Sequence, residues 1–259
     1  MPGKVHIVGA GPGAAELLTV KATSLLRKAD VVLHDDLVPQ EILDLVAPAA
    51  EVINVGKRCG RHSTSQQQIN ALMVERARLH GCIVRLKSGD PAIFGRLGEE
   101  LDALREAGVP FEIVPGVTAA MAAAAAAGFT LTDRRAASAL IMLTAHNCRG
   151  QSLSRMLLDP EQSTYAIYMP GPDYAATAHE LLHLGLDPST PCAVVSNAGR
   201  ERQQVKFLSL HELESGAAIV APAVLIAGKV VQNKIFAEPY FLDEIYESVR
   251  SSVENPLDF

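Results

Sequence analysis

Short apolar runs that end in glycine or polar residues recur along this chain, each followed by a segment with helical spacing of apolar residues. In the first part of the sequence they cover residues 5–8, 31–33, 52–55, 83–86 and 111–114. Strands that are apolar throughout must be buried on both faces, and helices between them favour a parallel sheet covered on both sides. Ligands bind outside the carboxyl ends of such strands. The pattern therefore predicts an α/β fold with a site built from the strand ends.

A second set of apolar runs begins beyond residue 135 and predicts a second sheet. Its members are residues 139–143, 165–168, 193–195 and 223–226, with helical segments such as 175–184 between them. The alanine-rich run 119–127 is expected to be a helix, because alanine is the best helix former. We therefore expect two tandem α/β domains, an N-terminal one at 1–117 and a C-terminal one at 118–245. A short helix and a frayed tail are expected after about residue 240.

Composition argues against several classes of protein. The net charge of −6 disfavours a protein that mainly wraps nucleic acid. The four cysteines form no CxxC pair, so neither a zinc site nor a disulfide framework is expected, and a reducing cytoplasm is the natural location. Residues 1–8 lack a secretory signal pattern. The most apolar stretch, 217–228, is broken by Pro222 and is shorter than the roughly 20 residues that cross a bilayer.

Basic residues cluster at several of the predicted strand ends. They are Lys57, Arg58, Arg61 and His62, then Arg85 and Lys87, and further on Arg96, Arg134 and Arg135. Clustered cations suit an anionic ligand. A solvated basic face is the alternative, and the clusters alone favour it.

The first strand ends in a glycine loop that has two interpretations. Gly9, Gly11 and Ala14 fit the G-x-G-x-x-A dinucleotide fingerprint, with Asp35 or Asp36 where a ribose-binding acid would lie. However, residues 12–16 lengthen the loop before the helical pattern begins, which places a helix N-terminus poorly for a pyrophosphate. A tight turn explains the bare pattern equally well, so an oxidoreductase remains open at this point.

Three further residues carry possible chemistry. The Asp90 carboxylate in Gly89-Asp90-Pro91 would hold a ribose hydroxyl or an amino group, although an Asp-Pro turn explains it too. Asp35 and Lys57 follow neighbouring strands and would face one crevice, where they would move protons; each alone is more often a surface charge. The sequence contains no serine-hydrolase elbow, HExxH or P-loop motif, so hydrolase, zinc and kinase interpretations have no support.

Seven segments, taken in order, resemble the tetrapyrrole methylase family and within it the uroporphyrinogen-III C-methyltransferases. They are VGAGPG, ADVVLHDDLV, VGKRCGRHS, VRLKSGDPAIFGR with GEE, PFEIVPGVTAA, TLTDRR and AIYMPG. The resemblance spans roughly residues 5–231. Because the motifs recur in register, a chance match is far less plausible than for one glycine fingerprint.

The resemblance implies a homodimer of two α/β domains, with S-adenosyl-L-methionine in the cleft between them and the glycine loop a lookalike. It assigns the proton acceptor and donor to Asp35 and Lys57. Arg96, Glu99 and Arg134 are expected to face the tetrapyrrole. The cofactor contacts carried over from the family are Pro12, Ser88, Gly89, Asp90, Ile93, Thr118, Ala119, Met169 and Ala198.

The implied reaction is two successive C-methylations of uroporphyrinogen III to precorrin-2, with S-adenosyl-L-homocysteine as the second product and no metal. Asp133 and Arg135 depart from the family pattern, which has histidine and aspartate there, so the substrate rim is altered. A methylase for a later precorrin is the nearest rival. A flavin or nicotinamide oxidoreductase that uses the glycine loop, and a non-catalytic binding protein, are rivals of other classes.

Overall fold

The computed structural model describes residues 2–56, 64–145, 159–171, 174–215 and 220–233. Within them, ten strands form two five-stranded sheets that follow one another along the chain. The prediction of two tandem α/β units is confirmed. The boundary between residues 117 and 118 stays a prediction; it falls between the last strand of the first sheet, which ends at Val114, and a helix that begins at Ala119.

The first sheet is parallel throughout and has the order β3-β2-β4-β1-β5. Its strands are β1 (Lys4–Gly9), β2 (Val31–His34), β3 (Glu51–Asn54), β4 (Cys82–Lys87) and β5 (Phe111–Val114). The helices of this half are α1 (Val20–Leu26), α2 (Gln40–Leu43), α3 (Gln66–Leu79) and α4 (Leu97–Glu106).

Alternate residues of the central strands face opposite layers of helices, which explains their unbroken apolar sequence. Val31 and Leu33 pack in the same buried cluster as Met73 of α3. Val32, between them on β2, packs in the cluster on the other face with Leu26 of α1. The spacing of Ser65 and Gln68 in the sequence predicts a capping box that opens a helix, and the N-terminus of α3 has it. Ser65 Oγ accepts from Gln68 N at 3.2 Å, and Gln68 Oε1 accepts from Ser65 N at 2.8 Å.

The second sheet is mixed and has the order β6-β7-β10-β8-β9. β6 and β7 are parallel, whereas β10 is antiparallel to β7 and β8, and β9 is antiparallel to β8. The elements are α5 (Ala119–Ala127), β6 (Ala139–Thr144), β7 (Ser163–Tyr168), α6 (Tyr174–His183), β8 (Pro191–Ser196), β9 (Gln204–Ser209), α7 (Leu210–Glu214) and β10 (Ala223–Ala227).

Sequence patterning missed β9. This strand lies at the edge of its sheet, and its residues are exposed or half-buried, so it lacks the apolar run by which the other strands were recognised. The predicted C-terminal helix and tail lie outside the described residues. None of the helices in the described ranges is both long and apolar enough to cross a membrane.

Candidate active site

A cavity of about 790 Å³ lies between the two halves of the chain. Its walls come from loops after β1, β2 and β4 on one side and from loops after β7 and β8 on the other. It is lined by Asp35, Arg96 and all nine residues expected to contact a cofactor: Pro12, Ser88, Gly89, Asp90, Ile93, Thr118, Ala119, Met169 and Ala198. Lys57 lies outside the described residues. Glu99 and Arg134 are not among the described residues that line the cavity.

Close backbone packing shapes the floor of the cavity. Gly11 and Gly89 exchange two hydrogen bonds, Gly11 N to Gly89 O at 3.2 Å and Gly89 N to Gly11 O at 2.8 Å, and both have a φ of +69°. A Cβ on Gly116 would lie 2.3 Å from Gly89 O. The left-handed backbone therefore favours glycine at residues 11 and 89, whereas at residue 116 a side chain would push the two loops apart.

The glycine loop does not lead directly into an α-helix. A 3₁₀ turn at Ala15–Leu17 follows it, and α1 begins only at Val20, with Thr19 as its N-cap. A dinucleotide-binding loop needs its helix N-terminus next to the pyrophosphate. The structure therefore favours a connecting turn over the dinucleotide interpretation.

The Asp90 carboxylate holds the loop that follows β4. Asp90 Oδ1 accepts from Ala92 N at 2.8 Å, and Oδ2 accepts from Gly116 N at 3.0 Å. These bonds agree with the Asp-Pro turn that the sequence allows. Asp90 also lines the cavity, where the predicted contact with a cofactor would be made. Nearby Ser88 Oγ is buried and has no hydrogen-bond partner among the described residues. A cavity-lining hydroxyl without a partner is suited to a polar ligand group.

The Asp35 carboxylate is bound to a network of buried charged side chains. Its Oδ1 accepts from Arg85 Nη2 at 2.5 Å, and its Oδ2 accepts from Ser88 N at 3.3 Å. Arg85 Nε donates to Glu100 Oε1 at 3.0 Å, and Lys87 Nζ donates to the same oxygen at 2.9 Å. Glu100, on α4, is fully buried, and the side chains of Arg85 and Lys87 are only 3% and 4% exposed. Arg85 and Lys87 are thus interior groups, and the solvated-face interpretation is wrong for this pair.

The two buried cations respond differently to their surroundings. Burial acts to lower the pKa of Arg85, but the charges of Asp35 and Glu100 outweigh it and raise that pKa. Burial, together with the charge of Arg85, lowers the pKa of Lys87. The ion pair with Arg85 fixes the orientation of the Asp35 carboxylate, while 30% of the Asp35 side chain stays exposed.

Four residues other than glycine have a left-handed backbone in the described part of the chain, and all four line the cavity. They are Phe94, Arg96, Met169 and Asn197, with φ of 50–53°. Such conformations are costly and are retained where the surrounding structure imposes them, commonly at functional sites. Their concentration here supports the cavity as the functional site.

Comparisons with known proteins identify the family of the chain. Residues 4–214 match the family described as Tetrapyrrole (Corrin/Porphyrin) Methylases. The chain belongs to the tetrapyrrole methylase family. It is 46% identical over 232 residues to siroheme synthase 1 of Klebsiella pneumoniae, covering 89% of this chain and 49% of the relative. The chain therefore spans about half the length of the curated relatives it matches.

Solved tetrapyrrole methylases share the fold. The uroporphyrin-III C-methyltransferase of Thermus thermophilus, solved both in native form and with S-adenosyl homocysteine, is 39% identical, with a TM-score of 0.78. The match covers 89% of this chain and 100% of the Thermus chain. A solved cobalt precorrin-4 methyltransferase is 31% identical, with a TM-score of 0.76, and the match covers 88% of this chain and 95% of that one.

The residues expected to face a tetrapyrrole do not all lie at the cavity: Arg96 lines it, whereas Glu99 and Arg134 are not among the described residues that do. Arg96 and Glu99 form a two-pronged pair, Nε to Oε1 and Nη2 to Oε2, both at 2.7 Å, and about half of each side chain is exposed. Arg134 is exposed. Among the two departures from the family pattern, Arg135 Nη2 donates to Asp133 Oδ2 at 2.7 Å, so the two replaced residues pair with each other.

Sequence reasoning missed two residues of this methylase site. Tyr168 OH lies 2.6 Å from Thr118 Oγ1 and accepts from Ala120 N at 3.2 Å, which ties the N-terminus of α5 to the end of β7. Its position inside AIYMPG was the available signal. Arg200, which lines the cavity, had none, because its partners are distant backbone carbonyls.

Proposed function

We propose that this tetrapyrrole methylase is an S-adenosyl-L-methionine-dependent C-methyltransferase that converts uroporphyrinogen III to precorrin-2 by two successive methylations. The observation that carries the proposal is the single cavity lined by Asp35, Arg96 and all nine residues expected to contact the cofactor. Its volume of about 790 Å³ is in the range of ligand sites, roughly 300–1,000 Å³. The likeness to the Thermus enzyme, solved with S-adenosyl homocysteine, supports the choice of cofactor.

The residues present fit this cofactor. Pro12, Met169 and Ala198 would contact it from opposite sides of the cleft, and Ser88 offers a buried hydroxyl without a partner among the described residues. S-adenosyl-L-methionine supplies an electrophilic methyl group when it is bound. The chain's contribution to that step is to hold the reacting atoms at attack distance.

The protein's own acid–base groups complete the chemistry. The Asp35 carboxylate, oriented by Arg85, would take the proton that leaves the macrocycle once its carbon is methylated, a role typically worth about 10²–10⁴-fold. Lys57 would act as the proton donor. Arg96, with Glu99 and Arg134, would bind the acetate and propionate groups of the tetrapyrrole, for which the guanidinium fork is well suited.

A methylase for a later precorrin is the alternative, supported by the likeness to the cobalt precorrin-4 enzyme and by the Asp133 and Arg135 departures. The deciding experiment incubates the protein with S-adenosyl-L-methionine and either uroporphyrinogen III or a later precorrin, and follows the product mass. Two added methyl groups on uroporphyrinogen III support our assignment; methylation of the later precorrin alone would overturn it. Calorimetry with S-adenosyl-L-homocysteine, NAD and FAD distinguishes the methyltransferase from an oxidoreductase.

The proposal includes a homodimer in the cytoplasm. The dimer is carried over from the family resemblance, and a monomer at micromolar concentration in sedimentation would contradict it. The cytoplasmic location is carried over from the cysteine pattern of the sequence, in which no CxxC pair and no disulfide framework stand out. Relatives named siroheme synthase suggest sirohaem synthesis as the use of the product, and cobalamin synthesis remains the other candidate.

A further inference from the structure

Arg200 joins the two halves of the chain across the cleft. It lies in the loop between β8 and β9, yet its side chain donates to two backbone carbonyls of the N-terminal half. Nε donates to Pro12 O at 3.0 Å, and Nη2 donates to Leu37 O at 2.7 Å. Pro12 is a predicted cofactor contact, and Leu37 follows Asp35 by two residues. One guanidinium thus holds two loops of the proposed site.

Two glycines make this contact possible. A Cβ on Gly13 would lie 2.5 Å from Arg200 Cγ, so only glycine lets the arginine cross the loop at that point. On the other side, Gly199 packs against the ring of Pro12, where a Cβ would lie 2.9 Å from Pro12 Cγ. The backbones of residues 12–13 and 199–200 therefore fit against each other closely.

The loop that carries Arg200 is itself fixed. Arg200 N donates to Asn197 O at 3.0 Å, Gln203 N donates to Arg200 O at 3.0 Å, and Gly199 N donates to Gln203 Oε1 at 2.8 Å. Burial lowers the pKa of Arg200, against a weaker opposing effect of the Glu41 charge. The contacts that Arg200 does make are directional bonds to neutral oxygens.

We infer that Arg200 is a positioning residue, which sets the Pro12 loop and the loop after Asp35 against the Ala198 side of the cleft. The inference rests on the proposed function, since it assumes that this cleft binds S-adenosyl-L-methionine. The role depends on two separate nitrogens that reach two carbonyls. Neither lysine nor glutamine has two separate nitrogens at the spacing of Arg200 Nε and Nη2, so neither reproduces this geometry.

The test measures the Kd for S-adenosyl-L-homocysteine and the KM for S-adenosyl-L-methionine in Arg200→Lys and Arg200→Gln, with Arg202→Gln as the exposed neighbouring control. Both constants should rise by a similar factor in the two Arg200 variants, on the order of tenfold, and stay unchanged in the control. If the Kd and KM of Arg200→Lys stay near those of the unmutated protein while those of Arg200→Gln rise, Arg200 acts through its charge and the inference is overturned. Unchanged constants in both variants would also overturn it. An unmutated protein that binds no S-adenosyl-L-homocysteine is a different result, which removes the proposed function itself.

A double-mutant cycle separates positioning from general destabilisation. Gly13→Ala should weaken S-adenosyl-L-homocysteine binding in the parent, because its Cβ displaces Arg200. In an Arg200→Ala background the same change should cost clearly less, since the overlapping side chain is gone. Additive losses would show that the two residues act independently and would overturn the inference.

Discussion

Arg85 Nη2 lies 2.5 Å from Asp35 Oδ1, so the proposed proton acceptor rests directly on a buried guanidinium. Arg85 is held from behind by Glu100, which is fully buried and also pairs with Lys87. Charges of alternating sign therefore follow one another from Glu100 in the interior, through Arg85, to Asp35 at the cavity wall. This arrangement orients Asp35 and ties its function to the stability of the fold.

Replacing Asp35 with asparagine should separate binding from chemistry. Asparagine keeps the shape and one of the two accepting oxygens, but it is not basic, so turnover should fall by about 10²-fold or more. The Kd for S-adenosyl-L-homocysteine should hardly change. Turnover is measured by the formation of precorrin-2, and the Kd is measured by calorimetry. Asp44→Asn, at an exposed position, is the control. Parental turnover in Asp35→Asn would remove Asp35 from the mechanism.

Arg96 variants should lose tetrapyrrole affinity in a graded way. Arg96→Lys keeps the charge but loses the fork, and Arg96→Ala loses both, so the KM for the tetrapyrrole should rise from parent to Lys to Ala. Cofactor affinity should hold. Arg105→Ala is the matched control, because Arg105 also forms an exposed i,i+3 pair, with Asp102 on the same helix. Loss of cofactor binding in the Arg96 variants would place this side chain on the wrong side of the cleft.

Glu100→Gln should destabilise the protein strongly. The substitution leaves Arg85 and Lys87 buried without their shared carboxylate, and breaking a buried pair in this way typically costs about 3–5 kcal/mol. The free energy of unfolding in urea measures the effect, and Glu106→Gln, at an exposed position of α4, is the control. A loss no larger than that of the control would show that the network contributes little to stability.

Tyr168→Phe should cost about 1–3 kcal/mol of unfolding free energy, because Thr118 Oγ1 and Ala120 N lose their shared partner in the interior. Tyr174→Phe is the comparison, since Tyr174 is also buried on the cavity wall but its hydroxyl makes no hydrogen bond with other described residues. Equal effects in the two variants would contradict the proposed role of the Tyr168 hydroxyl. Urea denaturation followed by circular dichroism gives both values.

Most of the architecture was predictable from local sequence. Nine of the ten strands carry the apolar runs from which they were predicted, and the Ser65 capping box was read correctly, because both signals depend on residues near one another in the chain. The polar strand ends were also predicted to converge, since parallel strands place their carboxyl ends at one edge. The roles of individual site residues stay predictions.

By itself the sequence determined where the strands end and which polar residues follow them, because hydrophobic periodicity and turn residues act locally. The tertiary structure decided which of these charges face a ligand and which face one another. Arg85 and Lys87 look like surface cations in sequence, but Glu100 on a helix lies against them and makes burial tolerable. Arg200 and β9 were equally hidden, since a hydrogen bond to a carbonyl 188 residues away and a place at a sheet edge are properties of the folded chain alone.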